Sequence, residues 1–217
     1  MKVLMISIDK TLLGQNNLGD TIARHKEYGT HVDRLDIIVF TTEKTEPKKL
    51  SDKVTVYPTN STNKVGYYFD AVKIAEKLFG EHRYDLIVTQ DPFVTGKVGV
   101  HLKKRFKAKL LVHFHGDFWK NSHWLAENPL NYFFLILSKF VVAKADAVRV
   151  VSSGIKQKLI NAGIAESKVT VIATPVAIKD YEAIPDQLSV EKPVVLHVSR
   201  YDKVKDFKTL ANLLTAL

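Results

Sequence analysis

The stretch DLIVTQDPFVTGKVGVHLKKRFKAKLLVHFHG, residues 85–116, decides the fold. It opens with a short apolar run at 86–89. A helix pattern follows at 95–106, and then a second apolar run at 110–113. Strands that are apolar on both faces belong in a sheet covered on both sides, which is the habit of parallel strands. Two such strands joined through a helix form a right-handed crossover. Outward from this unit the pattern repeats. Further strands are expected at 3–8, 35–40, 54–57, 147–151, 169–172 and 194–198. Helix patterns occur at 67–80, 129–144 and 154–162, the last with Ser152 or Ser153 as its N-cap and Gly163 behind it. The alternation predicts an α/β protein with a doubly wound, Rossmann-like parallel sheet.

Residues 174–193, TPVAIKDYEAIPDQLSVEKP, hold three prolines and many polar side chains. They read as a connection between domains. The expected organisation is an N-terminal Rossmann-like domain over 1–180, a linker over 181–192, and the first strand and helix of a second domain over 193–217. Phe207, Leu210, Leu213, Leu214 and Leu217 recur at helical spacing and call for a sheet to cover them. One strand and one helix bury too little apolar surface to stand alone. The second domain is therefore expected to be incomplete, and the chain to be a fragment.

Composition narrows the chemistry. Of 217 residues, 46% are hydrophobic and 25% charged, which suits a packed domain and not a disordered one. With no cysteine, thiolate catalysis, disulfides and Cys-type zinc sites are all excluded. The opening MKVLMISIDK reads as a first strand, not as a secretory signal, so the expected location is cytoplasmic. Without a signal, the acceptor triplet Asn60-Ser61-Thr62 carries no weight. A formal net charge of +9 points to a polyanionic partner. Basic residues crowd at 103–107 and 203–208, either as solvated helix faces or toward anionic ligands. No zinc-finger spacing or RNP-like motif is present, so nucleic acid is not the expected partner.

In open parallel sheets ligands sit beyond the carboxyl ends of the strands, so the residues there are the candidates. After the first strand comes KTLLGQNNLGDT, where Gly14 and Gly19 are spaced almost as in a P-loop. Asp20 stands where that motif needs Lys, and a carboxylate repels phosphate. Asp91 follows the strand at 86–89. His113, His115 and Asp117 alternate in VHFHGDFW (112–119) and would share one face of a strand, which invites a metal-site reading. No further ligand at proper spacing supports it, and no metal is expected. Phe118, Trp119 and Trp124 suit either a sugar-binding wall or a packed loop. The run NYFFLILSKFVVAKA (131–145) is too short to span a bilayer. It reads as a buried helix, or alternatively as one lying in the headgroup region with its lysines toward anionic lipid.

Four segments carry a resemblance. HFHGDF (113–118), AKADAVRVVSSGIKQKL (143–159), KVTVIATPVAIKDY (168–181) and VVLHVSRYDKVKDFKTL (194–210) together resemble a family-4 glycosyltransferase of the GT-B type. The likeness covers the acceptor-side domain and the opening of the donor domain. It implies transfer of a sugar from a nucleotide donor with retention at the anomeric carbon, without a metal or other cofactor. His115 would be the catalytic-centre histidine. Arg200 and Lys205, five residues apart, would bind the donor phosphates, where cations stabilise a departing diphosphate. The loop holding Gly14 and Gly19, together with Asp91 and Asp117, would face the acceptor. The chain departs from the family at Ser199, where many relatives have Gly, and at Thr174-Pro175-Val176-Ala177, where they have an NGVD-like turn. Its first loop lacks the paired glycines, and the acidic E-x7-E motif of the donor domain would lie past Leu217. The 217-residue chain is therefore expected to be inactive alone.

The leading expectation is thus an enzyme that builds envelope glycan or glycolipid, peripheral at the inner membrane face. Its partners would be a nucleotide sugar, a glycan or lipid-linked acceptor, and an anionic membrane surface. The alternatives are a non-catalytic acceptor- or membrane-binding module and a sugar-nucleotide epimerase of the same architecture.

Overall fold

The structure, a computed structural model, describes residues 1–14, 20–174 and 206–215. Its strands are β1 (Lys2–Ser7), β2 (Arg34–Val39), β3 (Lys48–Ser51), β4 (Val54–Pro58), β5 (Leu86–Thr89), β6 (Lys109–Phe114), β7 (Ala147–Val150) and β8 (Val169–Val171). All eight join one sheet in the order β3-β4-β2-β1-β5-β6-β7-β8. Every pairing is parallel except β3 with β4. The expected doubly wound α/β architecture is what the chain adopts. The antiparallel edge was not anticipated. Only Asp52 and Lys53 separate β3 from β4, and so short a connection can join only antiparallel strands.

The helices are α1 (Thr21–Thr30), α2 (Tyr67–Glu81), α3 (Val94–Phe106), α4 (Ser122–Glu127), α5 (Leu130–Lys144) and α6 (Ser153–Asn161). Two contact clusters reflect the two faces of the sheet. Leu4, Ile6, Ile87, Leu110, Val112 and Phe114 pack toward α2, α3, α5 and α6. Val3, Leu35, Ile37, Val39, Val54 and Val56 form the opposite layer. Each fully buried Leu or Ile contributes about 1.5–3 kcal/mol relative to exposure, so these layers dominate the stability. Close approach of α3 to the sheet requires glycine. A Cβ on Gly99 would lie 2.6 Å from Thr89 Cγ2 and 2.7 Å from Leu110 Cδ1.

One charge is buried within the sheet. Asp36 has no exposed surface. Its carboxylate accepts hydrogen bonds from Arg34 Nε and the Tyr84 hydroxyl, which couples β2 to the start of β5. Burial and this carboxylate push the Tyr84 hydroxyl pKa up, and the bond to Asp36 raises that of Arg34.

The chain divides into two units, Met1–Thr174 and Pro175–Leu217. The second is described at α7 (Phe207–Thr215), a helix where the leucine spacing predicts one, with Leu213 exposed. The expected linker (181–192) and strand (194–198) lie outside the described residues.

Candidate functional site

The strand order reverses its direction of growth between β1 and β5. In an open α/β sheet this opens a crevice at the carboxyl ends of those strands. One side chain ties its floor together. Gln90, just past β5, accepts at Oε1 from Ser7 Oγ (2.6 Å) and from the Ile8 amide (2.7 Å). Ser7 Oγ in turn accepts from the Asp9 amide at 3.0 Å. Asp9 N-caps a short 3₁₀ turn over Lys10–Leu13, which Gly14 closes at φ +92°, a left-handed conformation that glycine adopts without strain. Gly14 thus lies toward the β3 edge of the sheet, where a Cβ on it would come within 2.9 Å of Lys48 Nζ. Gly19 lies outside the described residues.

Asp91 also sits at the crevice, but its carboxylate is turned to local work. Oδ1 accepts from the Phe93 amide at 2.7 Å. The Thr95 hydroxyl donates to the Asp91 carbonyl at 2.9 Å and accepts from its amide at 3.1 Å. Burial pushes the Asp91 pKa up, while the Phe93 amide and Thr95 pull it back. The residue anchors the entry to α3.

At the end of β6 the two histidines stand side by side, with ring centroids 5.6 Å apart. His113 is directly opposite Arg149 of β7 in the sheet register. Burial first, then the positive charge of Arg149, pushes the His113 pKa down to about 3. His115, exposed at the rim, is lowered by partial burial and by Arg149 and Arg24. Both shifts favour the neutral ring. A neutral imidazole can offer either a donor or an acceptor to a hydroxyl group without adding charge. Arg149 is itself fixed, donating from Nε to the Ile172 carbonyl (3.0 Å) and from Nη2 to the Ala173 carbonyl (3.1 Å).

Asp117 does not join this pair. Its carboxylate binds Lys158 Nζ of α6 at 2.6 Å. The alternation of His113, His115 and Asp117 thus fails to make one ligand face, because β6 ends at Phe114 and the chain turns at Gly116. Among the described residues no group of three His, Cys, Asp or Glu is arranged to hold a metal. The aromatic residues divide between roles. Trp119 is buried and donates from Nε1 to Ser138 Oγ at 2.8 Å, so it belongs to the core. Phe93, Phe118 and Trp124 pack against one another over the loop.

Of the expected site residues, then, Asp91 follows β5 and His115 follows β6, Gly14 lies near Lys48 of β3, and Asp117 is paired with Lys158 of α6. Arg200 and Lys205 lie outside the described residues. Sequence reading missed Arg24 and Arg149. Arg149 carries a usable signal, a lone charge inside the otherwise apolar strand AVRV.

The family model for Glycosyltransferase Family 4 matches residues 30–180. A comparison with curated proteins found no match. Among solved structures, sucrose-phosphate synthase from Thermosynechococcus elongatus superposes with a TM-score of 0.75 at 17% identity, over 100% of this chain and 60% of that one. The lipopolysaccharide outer core galactosyltransferase WaaB gives 0.60 at 17% identity, over 97% and 57%. HepE from Anabaena in complex with UDP gives 0.56 at 19% identity, over 85% and 47%. The chain thus spans about half to three-fifths of the length of these structures, and at such identities the likeness is one of fold. The family model, however, covers well over half of the 217 residues, so the chain belongs to Glycosyltransferase Family 4.

Proposed function

We propose that this chain is the acceptor-side domain and the opening of the donor domain of a retaining glycosyltransferase. It takes a sugar from a nucleotide-sugar donor and passes it to an envelope glycan or lipid-linked acceptor, peripheral at the cytoplasmic membrane face. The observation that carries this reading is the match of residues 30–180 to Glycosyltransferase Family 4, a segment in which His115 stands just past the carboxyl end of β6. The UDP bound to HepE, a structure of the same fold, supports a nucleotide-sugar donor.

In this reading His115 hydrogen-bonds the donor sugar at the reacting carbon. Arg200 and Lys205 neutralise the diphosphate as the glycosidic bond breaks, where opposite charge lowers the barrier most. Gly14, Gly19 and Asp91 border the acceptor, Gly14 and Gly19 by keeping the first loop free of side chains there. Asp117 acts on the acceptor side through Lys158. No metal or other cofactor takes part.

Because the 217-residue chain is expected to be inactive alone, the test uses a protein that carries a complete donor domain and follows release of nucleoside diphosphate from a panel of nucleotide sugars, with and without membrane lipid acceptors. Acceptor-dependent release that falls about 10²–10³-fold in Arg200→Ala/Lys205→Ala supports the reading, that being the range for losing one electrostatic stabiliser. A similar loss in kcat for His115→Ala supports its placement at the reacting centre. Turnover without any acceptor would favour the epimerase alternative. Membrane binding untouched by nucleotide, with no release, would favour a non-catalytic module.

A further inference from the structure

The inner face of α5 is fixed in the core through Ser138, Val141 and Val142, all buried. Its outer face is unusual for a protein in water. Tyr132, Phe133, Ile136 and Phe140 are 59%, 57%, 70% and 49% exposed. At 100° per residue these four fall on one stripe, with Lys139 and Lys144 along its two borders.

The stripe runs into a cavity of about 800 Å³ where the carboxyl ends of α3 and α5 meet. Six lysines line it, Lys103, Lys104, Lys107, Lys109, Lys144 and Lys168, against the single carboxylate of Asp146. Asp146 is taken by Lys103 at 2.7 Å and, more loosely, by Lys109 at 3.8 Å. Lys168 donates to the Ala145 carbonyl at 3.2 Å. No carboxylate among the described residues lies within ion-pair reach of Lys104, Lys107 or Lys144. Phe140 belongs to both features, so stripe and basic cavity are one continuous surface.

Cations at the end of a helix complement its dipole, which accounts for a lysine or two. It does not account for three large apolar side chains more than half exposed beside them. A nucleic acid would use the charge and leave the apolar stripe wet. A second copy of so basic a chain would be repelled. A bilayer of anionic phospholipid matches both halves, with acyl chains for the stripe and phosphate headgroups for the lysines. At 15 residues α5 is too short to cross a membrane, and among the described residues no helix is long and apolar enough to do so. Held to the core by its inner face, α5 can meet a bilayer only by laying its outer stripe along the interface.

We infer that the outer face of α5 and the lysine cavity at its carboxyl end form a docking surface for anionic phospholipid bilayers. This specifies the surface behind the membrane location proposed above. It rests on that location and not on the transfer chemistry, so its test needs no nucleotide and no turnover.

The 217-residue chain is sedimented with vesicles of phosphatidylcholine alone or mixed with phosphatidylglycerol at 0.15 M salt. Binding is expected to the mixed vesicles only. Each lysine near an anionic surface is worth on the order of a fivefold change in affinity, so Lys104→Glu/Lys107→Glu/Lys144→Glu should weaken binding at least roughly a hundredfold. Phe133→Ser/Ile136→Ser should weaken it at least about tenfold, with thermal melting unchanged because both side chains are exposed. A Trp at position 136, introduced as Ile136→Trp, should shift its emission to the blue and be quenched by brominated lipid. Equal binding to neutral vesicles, no binding at all, or wild-type binding by the charge-reversed chain would overturn the proposal. So would tight binding of double-stranded DNA with the apolar variant binding vesicles as well as wild type, which marks a general polyanion site.

Discussion

Substituting Gly99 with alanine tests the packing that positions the crevice. Alanine is a better helix former than glycine by about 0.8–1 kcal/mol, so on propensity alone Gly99→Ala should stabilise α3. The structure reverses the sign. The new methyl would lie 2.6 Å from Thr89 Cγ2 and 2.7 Å from Leu110 Cδ1, each about 1 Å inside comfortable carbon contact. Thr89 and Leu110 are both fully buried, so neither can swing aside into solvent. Forcing a methyl into such a site costs about 1–3 kcal/mol in displaced side chains and backbone. The net expectation is a loss of up to about 2 kcal/mol, with a larger one for Gly99→Val. Gly80, in α2, supplies the control. A Cβ there meets nothing within 4 Å, so Gly80→Ala should gain about 0.5–1 kcal/mol. Urea unfolding followed by circular dichroism reads both. A Gly99→Ala chain as stable as Gly80→Ala would refute the argument that α3 is seated against β5 and β6 without slack.

Stability should also depend on pH through the buried histidines. His25 and His113 have folded pKa values below the ordinary 6.5, His113 near 3, so the unfolded chain takes up protons first as the pH falls. Their contribution is complete above about pH 6.5 and is lost on acidification, at up to about 1.4 kcal/mol per pH unit for each ring. Asp91, raised by burial, works in the opposite direction, so the informative comparison is with His113→Gln. Between pH 7 and pH 5 wild type should lose about 1 kcal/mol more than that variant in urea titrations, the partial exposure of the ring roughly halving the full value. An equal loss in both chains would remove His113 from the account. Tyr84→Phe should cost about 1.5–3 kcal/mol, because it withdraws a donor from the fully buried Asp36 carboxylate. A shift in melting temperature of less than a degree would show that Arg34 alone satisfies that charge.

The strands were legible because a parallel sheet covered on both faces needs short runs of apolar residues. Leu86-Ile87-Val88 and Val148 of β7 could hardly do anything else. What escaped was polar or small. β3 is Lys-Lys-Leu-Ser, an edge strand that buries only Leu50. α1 is read poorly from TIARHKEYGT because the residues it buries are His25 and Gly29, neither a mark of an apolar helix face. The site shows the same limit. The motif after β6 marks His115, but its pKa is lowered by partial burial first and then by the charges of Arg149 on β7 and Arg24 on α1. That convergence comes from the sheet order, and no spacing along the chain encodes it. Asp91 shows the converse. Its position after β5 marked it, while the contacts that hold it come from the Phe93 amide, on the carboxylate, and from Thr95, the second residue of α3, on the backbone carbonyl.

The double hydrogen bond received by Gln90 has a mechanical consequence. A single amide oxygen gathers the hydroxyl of Ser7 and the amide of Ile8, so the mouth between β1 and β5 is laced shut at its base. Prising those strands apart would strand two donors and their shared acceptor together, and so would meet resistance from the first fraction of an ångström. The base of the crevice is thus a fixed gauge, and any adjustment to molecules of different girth falls to the side chains and loops at its lip.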